Sequence, residues 1–552
     1  MKKINQSFYY LILPLLVISS CKKFNDKLAE KEKESGILFI QQKGATINQA
    51  KTDEEITVLA KIGEEPKVLH FYMGDVEITP LSSKESEYPV EDVFTDQLVN
   101  VPVVEYRFII PKNVKIGPNN VYFTINGKVR PPISLEVRKP DILFPGKVTI
   151  STFAKSILTT LPDGSTTVPR RPIDGPLGQA GIASVDHLAY DQNTRSFYFV
   201  DWYYEDTLNP NQSPAYYLIR KLQDNQVTTI AGGGKNIETT NGLDKKFTRI
   251  LCMAPGIDGQ LYISLIESVP LNPGGSMEVD RCQIVKLDPQ TGKLTPFAGA
   301  KIRNGNMLTG YRDGKDSALL TNVPTMTFDK NGNLYFIDDL ALLRKAAPDG
   351  TVTTLLGQYD SFSYETADGE TGEPLMETIY WNIPGHTDGF EKEVMFQNAS
   401  KMAIAGNGKL YIMEQFTGDW QTNIREVNLD TREVSTIIGL PTGVRTYMNT
   451  GTFRDVELGD ILSFDLDYDG NLIFTAIPIY KIKPEIYKMD LQSETIALLA
   501  GNNGLYCNPD QDRPIAGPEA CLSNVTRIVF DQFGTLYVGN MSVLRIRKIT
   551  IE

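Results

Sequence analysis

Histidine and tryptophan are the scarcest side chains in this sequence, with three of each in 552 residues. The three histidines, His70, His187 and His386, are scattered and lack the spacing of zinc ligands, so we predict neither a metal site nor a cofactor. No Gly-x-Ser-x-Gly elbow or Ser/His/Asp set appears, and no catalytic residue is predicted. The sequence also has no excess of basic over acidic residues. The net charge of -13 argues against nucleic acid as a partner, because nothing would neutralise its phosphates.

Cysteine is also sparse, with five in the chain. Cys507 and Cys521 flank a loop rich in proline and aspartate, and we predict a local disulfide between them. Cys252 and Cys282 lie on neighbouring predicted strands, where a disulfide and two free buried thiols are both open. The fifth, Cys21, belongs to the N-terminal segment.

Only one long apolar run occurs, at residues 8–18, and it is too short to span a bilayer. Two lysines precede it and Ser19 and Ser20 follow it, which is typical of a signal peptide over residues 1–20. The sequence Ile18-Ser19-Ser20-Cys21 resembles the bacterial lipobox, and this resemblance implies that Cys21 is lipidated and anchors the chain to a membrane. An ordinary secretory cleavage site beside a chance cysteine is the alternative.

Residues 21–35 are charged and nearly devoid of apolar side chains, which predicts a solvated tether. Lys22, rather than Asp, follows the lipidated cysteine, which in lipoproteins of this kind resembles an outer-membrane destination. We therefore expect a lipid-anchored outer-membrane protein displayed at the cell surface.

Residues 36–140 read as short strands without helical periodicity, which predicts a β-sandwich of about a hundred residues. The run Phe108-Ile109-Ile110-Pro111, followed by Gly117 and by residues 121–127, resembles the end of an IPT/TIG immunoglobulin-like domain. Domains of this family mostly act as spacers, and the resemblance implies that role here.

Residues 146–552 contain a repeat whose cleanest copy is residues 327–357. Its Asn-Gly pair predicts a hairpin turn, its alternating Leu-Tyr-Phe-Ile a strand, and its Asp-Gly pair a second turn. Five further copies follow the same order, and the sixth stops at Glu552 before its last strand. Residues 148–154 match the missing strand, so the first strand of this region is expected to complete the last repeat.

These repeats resemble the NHL family, down to the turns Asp174-Gly175 and Asp313-Gly314 before a new repeat. The resemblance implies a six-bladed β-propeller. The predicted fold is therefore all-β: an Ig-like (IPT/TIG) β-sandwich, then a six-bladed NHL-like propeller closed by an N-terminal strand. The Asp-Gly turns are explained by backbone geometry and not by catalysis.

Loop length is concentrated on one face of the predicted propeller, in residues 201–214, 264–280, 414–422 and 358–393. All three tryptophans fall in these loops, together with three tyrosines. An indole in an exposed loop costs solvation unless it packs or binds. The predicted ligand-binding residues are Trp202, Tyr203, Tyr204, Tyr380, Trp381 and Trp420, with Glu205, Asp206, Asp388 and Asp419 as candidate acceptors for sugar hydroxyls.

Flat aromatic faces suit the C–H-rich faces of pyranose rings, so the first hypothesis is a cell-surface protein that binds a polysaccharide or oligosaccharide. The order of anchor, tether, spacer and propeller resembles the glycan-binding lipoproteins that Bacteroidota place beside outer-membrane transporters. That resemblance implies glycan capture for uptake, with a transporter complex as partner. Two alternatives stay open: a propeller enzyme of lactonase, glycosidase or lyase type acting on a carbohydrate, and a protein-interaction scaffold in the cell envelope.

Overall fold

The structure is a computed structural model that describes residues 35–551. Residues outside the description are 53, 63–67, 92–97, 112, 116, 139–147, 158, 161–165, 168–170, 205–214, 271–277, 300–308, 317, 368–373, 416–421, 439–459, 478–482, 493–494, 502–514, 517–521, 523–524, 532 and 541–544. The signal peptide, Cys21 and the predicted Cys507–Cys521 disulfide lie outside the described residues. The described elements are strands and two short 3-10 turns, at Gly242–Asp244 and Glu391–Glu393, so the prediction of an all-β chain is confirmed for this part. In the same part, no helix has the length and apolar character to cross a membrane.

The chain divides into two compact units, Met1–Asp141 and Ile142–Glu552. Unit 1 contains two sheets around one apolar core that includes Val58, Phe71, Phe108 and Phe123. Its first sheet has the strand order β2-β1-β4-β8-β7, and its second β3-β11-β9-β5-β6 with β10 beside β9. The strands are β1 (Gly36–Gln42), β2 (Ala45–Thr46), β3 (Gln49–Lys51), β4 (Glu55–Lys61), β5 (Leu69–Met73), β6 (Val76–Ile78), β7 (Ser82–Glu91), β8 (Leu98–Ile109), β9 (Gly117–Ile125), β10 (Lys128–Val129) and β11 (Ile133–Arg138).

The described residues of unit 2 form six sheets of four or five strands, which we number one to six in chain order. Sheet one is β15 (Gly175–Pro176), β16 (Asp186–Asp191), β17 (Ser196–Tyr204), β18 (Ala215–Gln223) and β19 (Gln226–Gly232); sheet two is β20 (Arg249–Pro255), β21 (Leu261–Pro270), β22 (Glu278–Leu287) and β23 (Leu294–Gly299); and sheet three is β24 (Thr325–Phe328), β25 (Leu334–Ile337), β26 (Leu343–Ala346) and β27 (Val352–Leu356). Sheet four is β30 (Gly389–Phe390), β31 (Ala399–Ile404), β32 (Lys409–Gln415), β33 (Thr422–Asn428) and β34 (Glu433–Ile438), and sheet five is β35 (Asp460–Leu466), β36 (Leu472–Ile477), β37 (Glu485–Asp490) and β38 (Thr495–Ala500).

Sheet six is built from both ends of the unit. It comprises β40 (Val525–Phe530), β41 (Leu536–Asn540), β42 (Arg545–Ile551), β12 (Val148–Lys155) and β39 (Ile515–Ala516). The early strand β12 pairs antiparallel with β42, from Val148 opposite Ile551 to Lys155 opposite Arg545. The prediction that residues 148–154 form the missing strand of the last repeat is thus confirmed. Two small hairpins lie outside the six sheets: β13 (Thr159–Thr160) with β14 (Thr166–Thr167), and β28 (Tyr359–Ala367) with β29 (Pro374–Asn382).

The six sheets pack face to face in chain order. Among the described residues, five apolar clusters of unit 2 each join two successive sheets, as Tyr198 and Ile219 of sheet one pack against Leu261 and Ile263 of sheet two. A further cluster brings Phe197 of sheet one against Tyr537 of sheet six. One strand of each sheet contacts the corresponding strand of the next, in the order β16, β20, β24, β31, β35 and β40, and β40 contacts β16. The fold of unit 2 is therefore propeller-like.

The repeat motif identified in the sequence makes the hairpin turns. In sheet three, the Asp329 carboxylate accepts hydrogen bonds from the backbone N–H groups of Asn331 and Asn333 at 2.9 and 2.8 Å, and Gly332 supplies a φ of +79°. Asp467 and Asp531 hold the corresponding turns of sheets five and six. These local bonds explain why the turn could be predicted from a few consecutive residues.

A buried arginine lies in the third full strand of sheets one, three and four, and each is fully buried: Arg220, Arg344 and Arg425. Each pairs with a buried acid near the end of the preceding strand, such as Asp338 at 3.1 Å from Arg344. Each also pairs with the aspartate of an Asp-Gly turn, as Arg344 does with Asp313 at 3.0 Å. The equivalent distances are 2.6 and 3.1 Å for Arg220 with Asp201 and Asp174, and 3.2 and 2.8 Å for Arg425 with Glu414 and Asp388.

The Asp-Gly turns therefore do more than bend the backbone, which corrects the interpretation from sequence. The carboxylate of Asp313 also accepts hydrogen bonds from the N–H and hydroxyl of Thr354 at 2.8 and 3.0 Å. Asp174 with Thr229 and Asp388 with Thr436 repeat this arrangement. Each such aspartate thus ties the segment entering a sheet to that sheet's last strand and to its buried arginine.

We expect Arg344→Leu to lower the free energy of unfolding of unit 2 by about 3–5 kcal/mol, because Asp338 would be left buried without its cation. The double variant Arg344→Leu, Asp338→Leu should lose less than the sum of the two single changes, because no charge is then stranded. Urea unfolding followed by tryptophan fluorescence reads unit 2 alone, since all three tryptophans lie there.

Lys315→Leu is the matched control, because its ion pair with Asp349 in the same region is exposed on both sides. It should unfold like the wild type. An Arg344→Leu chain as stable as the Lys315→Leu chain would show that the buried pair does not hold the sheet together.

Candidate functional site

The predicted aromatic residues lie mostly on paired strands, and not in irregular loops. β17 continues to Tyr204 and β18 starts at Ala215, so Trp202, Tyr203 and Tyr204 extend sheet one beyond its core. The segment predicted as the longest loop, residues 358–393, contains the hairpin of β28 and β29, the strand β30 and a 3-10 turn. β21 and β22 likewise extend through much of residues 264–280. The loop assignment is therefore wrong in these places.

Trp202 and Tyr204 come together on one face of sheet one, with ring centroids 5.5 Å apart in an edge-to-face arrangement. Tyr217 lies directly opposite Trp202 in the register. Trp202 and Tyr217 pack against a cluster that includes Ile250 and Met253 of sheet two. We call Trp202, Tyr204 and Tyr217 the sheet-one aromatic cluster, and all three rings are half-buried.

Tyr203 points to the opposite face. Its ring stacks on Tyr216, its partner across the strands, at 5.4 Å with an interplanar angle of 17°. The three consecutive aromatic residues therefore do not form one surface, because successive side chains of a strand alternate between faces.

The hairpin of β28 and β29 places two further predicted residues, Tyr380 and Trp381, on its opposite faces. Tyr380 is inside a group with Tyr311 and Tyr359, at centroid distances of 5.2 and 5.6 Å. Tyr311 in turn lies 5.2 Å from the guanidinium of Arg344. This face fastens the hairpin to sheet three through the buried arginine.

The other face of the hairpin is directed to solvent. It carries Trp381 at 43% exposure and Phe362 at 60%, together with Tyr364 and Ile379. The rings of Phe362 and Tyr364 are parallel within 9° at 6.3 Å. We call these four residues the hairpin aromatic face. Sequence reasoning missed Phe362 and Tyr364, although the alternation of residues 359–364 was a signal of a strand.

Trp420, Glu205, Asp206 and Asp419 lie outside the described residues. Asp388, a predicted acceptor for sugar hydroxyls, is bonded to Arg425 and Thr436 instead. Its carboxylate is thus committed to the fold, which corrects that expectation.

Charged side chains gather along the strands by which the six sheets contact one another. Asp186 and His187 come from β16, Arg249 from β20, Lys401 from β31, Asp465 from β35 and Arg527 from β40, and we call these six the axial cluster. Burial lowers the pKa of His187 to about 4, and the three cations act in the same direction against Asp186. Burial also lowers the pKa of Lys401, against the charge of Asp465.

Cys252 and Cys282 are free and buried. They lie on β20 and β22, which are separated by β21, so the expectation that their strands are neighbours is wrong. Burial raises the pKa of each thiol to about 12. Both are therefore unreactive thiols at neutral pH.

Within the described part of the chain, no three His, Cys, Asp or Glu side chains are grouped as they would be around a metal ion. His386, for instance, contacts Glu414 at 3.2 Å and Gln397 at 2.9 Å, and Glu414 is held by Arg425. A shallow depression of about 660 Å³ lies in the connection from sheet one to sheet two, lined by residues 234–239 and Asp244. Its lining contains no aromatic side chain, and sequence reasoning did not point to it.

No family model and no curated protein matches the chain. Among solved structures, a protein of unknown function from Bacteroides thetaiotaomicron is 13% identical, with 94% of this chain and 98% of that chain aligned at a TM-score of 0.44. The WD40 β-propeller domain of Doa1 is 10% identical, covering 69% and 96% at 0.32, and a glucose dehydrogenase is 11% identical, covering 61% and 93% at 0.31. The neighbours thus include propeller-like folds. Their sequence identities and TM-scores are too low to assign a ligand or an activity to this chain.

We expect the stability of unit 2 to fall as the pH drops from about 6.5 to about 4, in part through His187. Its folded pKa of about 4 is below the ordinary value of 6.5, so the unfolded chain binds more protons in this window. His187→Asn should flatten that part of the profile, and asparagine tolerates the φ of +46° at this position. Urea midpoints measured by tryptophan fluorescence at several pH values test this.

His70→Asn, in unit 1, is the control and should leave the profile of unit 2 unchanged. If His187→Asn retains the full wild-type slope between pH 4 and 6.5, His187 is not held neutral by its surroundings.

Proposed function

We propose that the chain is a surface lipoprotein that binds an oligosaccharide or polysaccharide at one end of a six-bladed, NHL-like β-propeller. The exposed hairpin aromatic face is the observation that carries this proposal. An apolar face of this kind costs hydration unless it is covered, and stacked rings along a ribbon suit the faces of successive pyranose units.

The propeller part of the proposal is supported by the packing order of the sheets. The cluster between sheets six and one and the pairing of β12 with β42 are what a ring closed by an N-terminal strand requires. Unit 1, with two sheets around one core, is compatible with an IPT/TIG-like spacer. In a four-stranded blade, the second-to-third connections and the connections between blades emerge at the same end. Trp202 and the hairpin would therefore face the same side.

Anchoring through Cys21 would place this binding end outside the cell, beyond the tether and spacer. The partners we propose are a glycan, the outer membrane through the lipid, and a transporter complex that takes up the captured glycan. An enzyme acting on a carbohydrate would need converging carboxylates, and the two in the axial cluster, Asp186 and Asp465, each lie beside cations. This favours binding over catalysis. In the part of the chain that the structure describes, no contact favours a protein-interaction scaffold over these two functions.

A glycan array probed with the chain from Gly36 onward is the first test, and a hit should then be measured by affinity electrophoresis. We expect Phe362→Ala and Trp381→Ala each to weaken binding roughly tenfold, which corresponds to about 1.4 kcal/mol. Both variants should keep the wild-type urea midpoint, because the two side chains project into solvent.

Met376→Ala is the matched control. Met376 is 63% exposed on the same hairpin but lies in register with the opposite face, so its removal should not change binding. Equal retention of all three variants on the glycan would rule out the hairpin aromatic face as the binding surface.

We expect Cys21→Ala to release the protein from the membrane fraction, because the acyl chains on this residue would supply the anchor. Detergent phase partitioning of cell extracts measures this, with Cys252→Ala as a control that should remain in the detergent phase. A Cys21→Ala protein that still partitions into detergent would contradict lipid anchoring at this residue.

A further inference from the structure

A carboxylate lies beside the hairpin aromatic face. Asp360 is directly opposite Trp381 in the register of β28 and β29, and Phe362 follows two residues later on the same strand. Side chains at these three positions point to the same face, and directly opposite residues have Cβ atoms about 5 Å apart. The exposed side chain of Asp360 is therefore next to the indole of Trp381 and on the same surface as the ring of Phe362.

The protein does not neutralise this carboxylate. Within the described residues Asp360 forms no ion pair, and it accepts a hydrogen bond from the backbone N–H of Ser361 at 2.8 Å. The sequence of residues 359–382 contains no lysine, arginine or histidine, and its six acidic residues are Asp360, Glu365, Asp368, Glu370, Glu373 and Glu377. The hairpin segment thus formally carries six negative charges and no positive one.

Exposed rings and an uncompensated carboxylate on one face favour a cationic ligand. The faces of aromatic rings attract a cation, and a carboxylate beside them adds to that attraction. The same negative potential disfavours glycans that bear uronate or sulfate groups. Carboxylates alone would suffice to keep the hairpin soluble, whereas exposed rings beside them cost hydration until a ligand covers them.

We infer that the hairpin aromatic face, together with Asp360, binds an oligosaccharide of amino sugars whose amino groups are free. The sugar rings stack on Trp381 and Phe362, and an ammonium group pairs with the carboxylate of Asp360. This inference rests on the proposed glycan-binding function and narrows its ligand class. Each of the two contacts of an ammonium group is modest at an exposed site, so the preference over a neutral sugar should be about tenfold.

Three tetrasaccharides with the same linkage test the inference by titration calorimetry on the full chain in detergent. They are oligomers of glucosamine, of N-acetylglucosamine and of glucose, and they differ only in bearing an ammonium, an acetamide or a hydroxyl group at the second carbon of each unit. At a pH at which the amino groups are protonated, the wild type should bind the glucosamine oligomer about tenfold more tightly than the other two. Added salt should reduce this difference.

Asp360→Asn should bind the three tetrasaccharides with equal affinity, and its affinity for the two neutral ones should match that of the wild type. Glu365→Gln is the matched control, because it removes the same charge from an exposed position on the same strand. Glu365 is in register with Met376 and therefore lies on the opposite face of the hairpin. This variant should keep the preference, and equal urea midpoints should show that both variants are folded.

A wild type that binds glycans on the array but does not prefer the glucosamine oligomer, or an Asp360→Asn chain that keeps the preference, overturns the amino-sugar inference and leaves the glycan proposal in place. A tetralysine peptide that binds as tightly as the glucosamine oligomer also overturns it, because the face would then attract any cation. Binding to neither the array nor any of the three tetrasaccharides removes both proposals.

Discussion

The fold of unit 2 depends on buried guanidinium groups, each of which donates hydrogen bonds to several segments of the chain at once. Arg344 donates to the carboxylates of Asp338 and Asp313 and to the carbonyl oxygens of Leu319 and Arg312. A buried charge is costly unless it is paired and hydrogen-bonded, so the entering segment and two strands must adopt one arrangement together. Sheet five shows the alternative, because Tyr487 stands at the equivalent position and bonds to Glu485.

The same network positions the candidate site. Arg344 lies under the ring of Tyr311, and Tyr311 contacts Tyr359 and Tyr380 at the base of the hairpin. The exposed rings of Phe362 and Trp381 are therefore carried on a ribbon with a fixed base. A side chain that binds by stacking benefits from such support, because less conformational freedom is lost when a ligand arrives.

Much of the fold could be predicted because its signals are local. Alternating apolar residues and Asp-Gly or Asn-Gly turns act over a few positions, and the pairing of residues 148–154 with the end of the chain followed from the repeat. The buried pairs could not be predicted, since Arg344 and Asp313 are distant in sequence and neither residue type indicates burial. The site was predicted only in part. Trp381 is exposed as expected. The side chain of Tyr380 points to the other face of the hairpin, and this could be predicted only by recognising a strand where the sequence indicated a loop.

The pairing of β12 with β42 has a consequence for how the protein is made. β12 is synthesised early, but its partner β42 is synthesised only after the strands of sheets one to five. Until then its backbone N–H and C=O groups are an open edge, able to pair with any other extended segment. Sheet six can thus be completed only by a chain that is long enough to include β42. A product that stops short of Arg545 cannot bury β12 and becomes a target for proteolysis or aggregation.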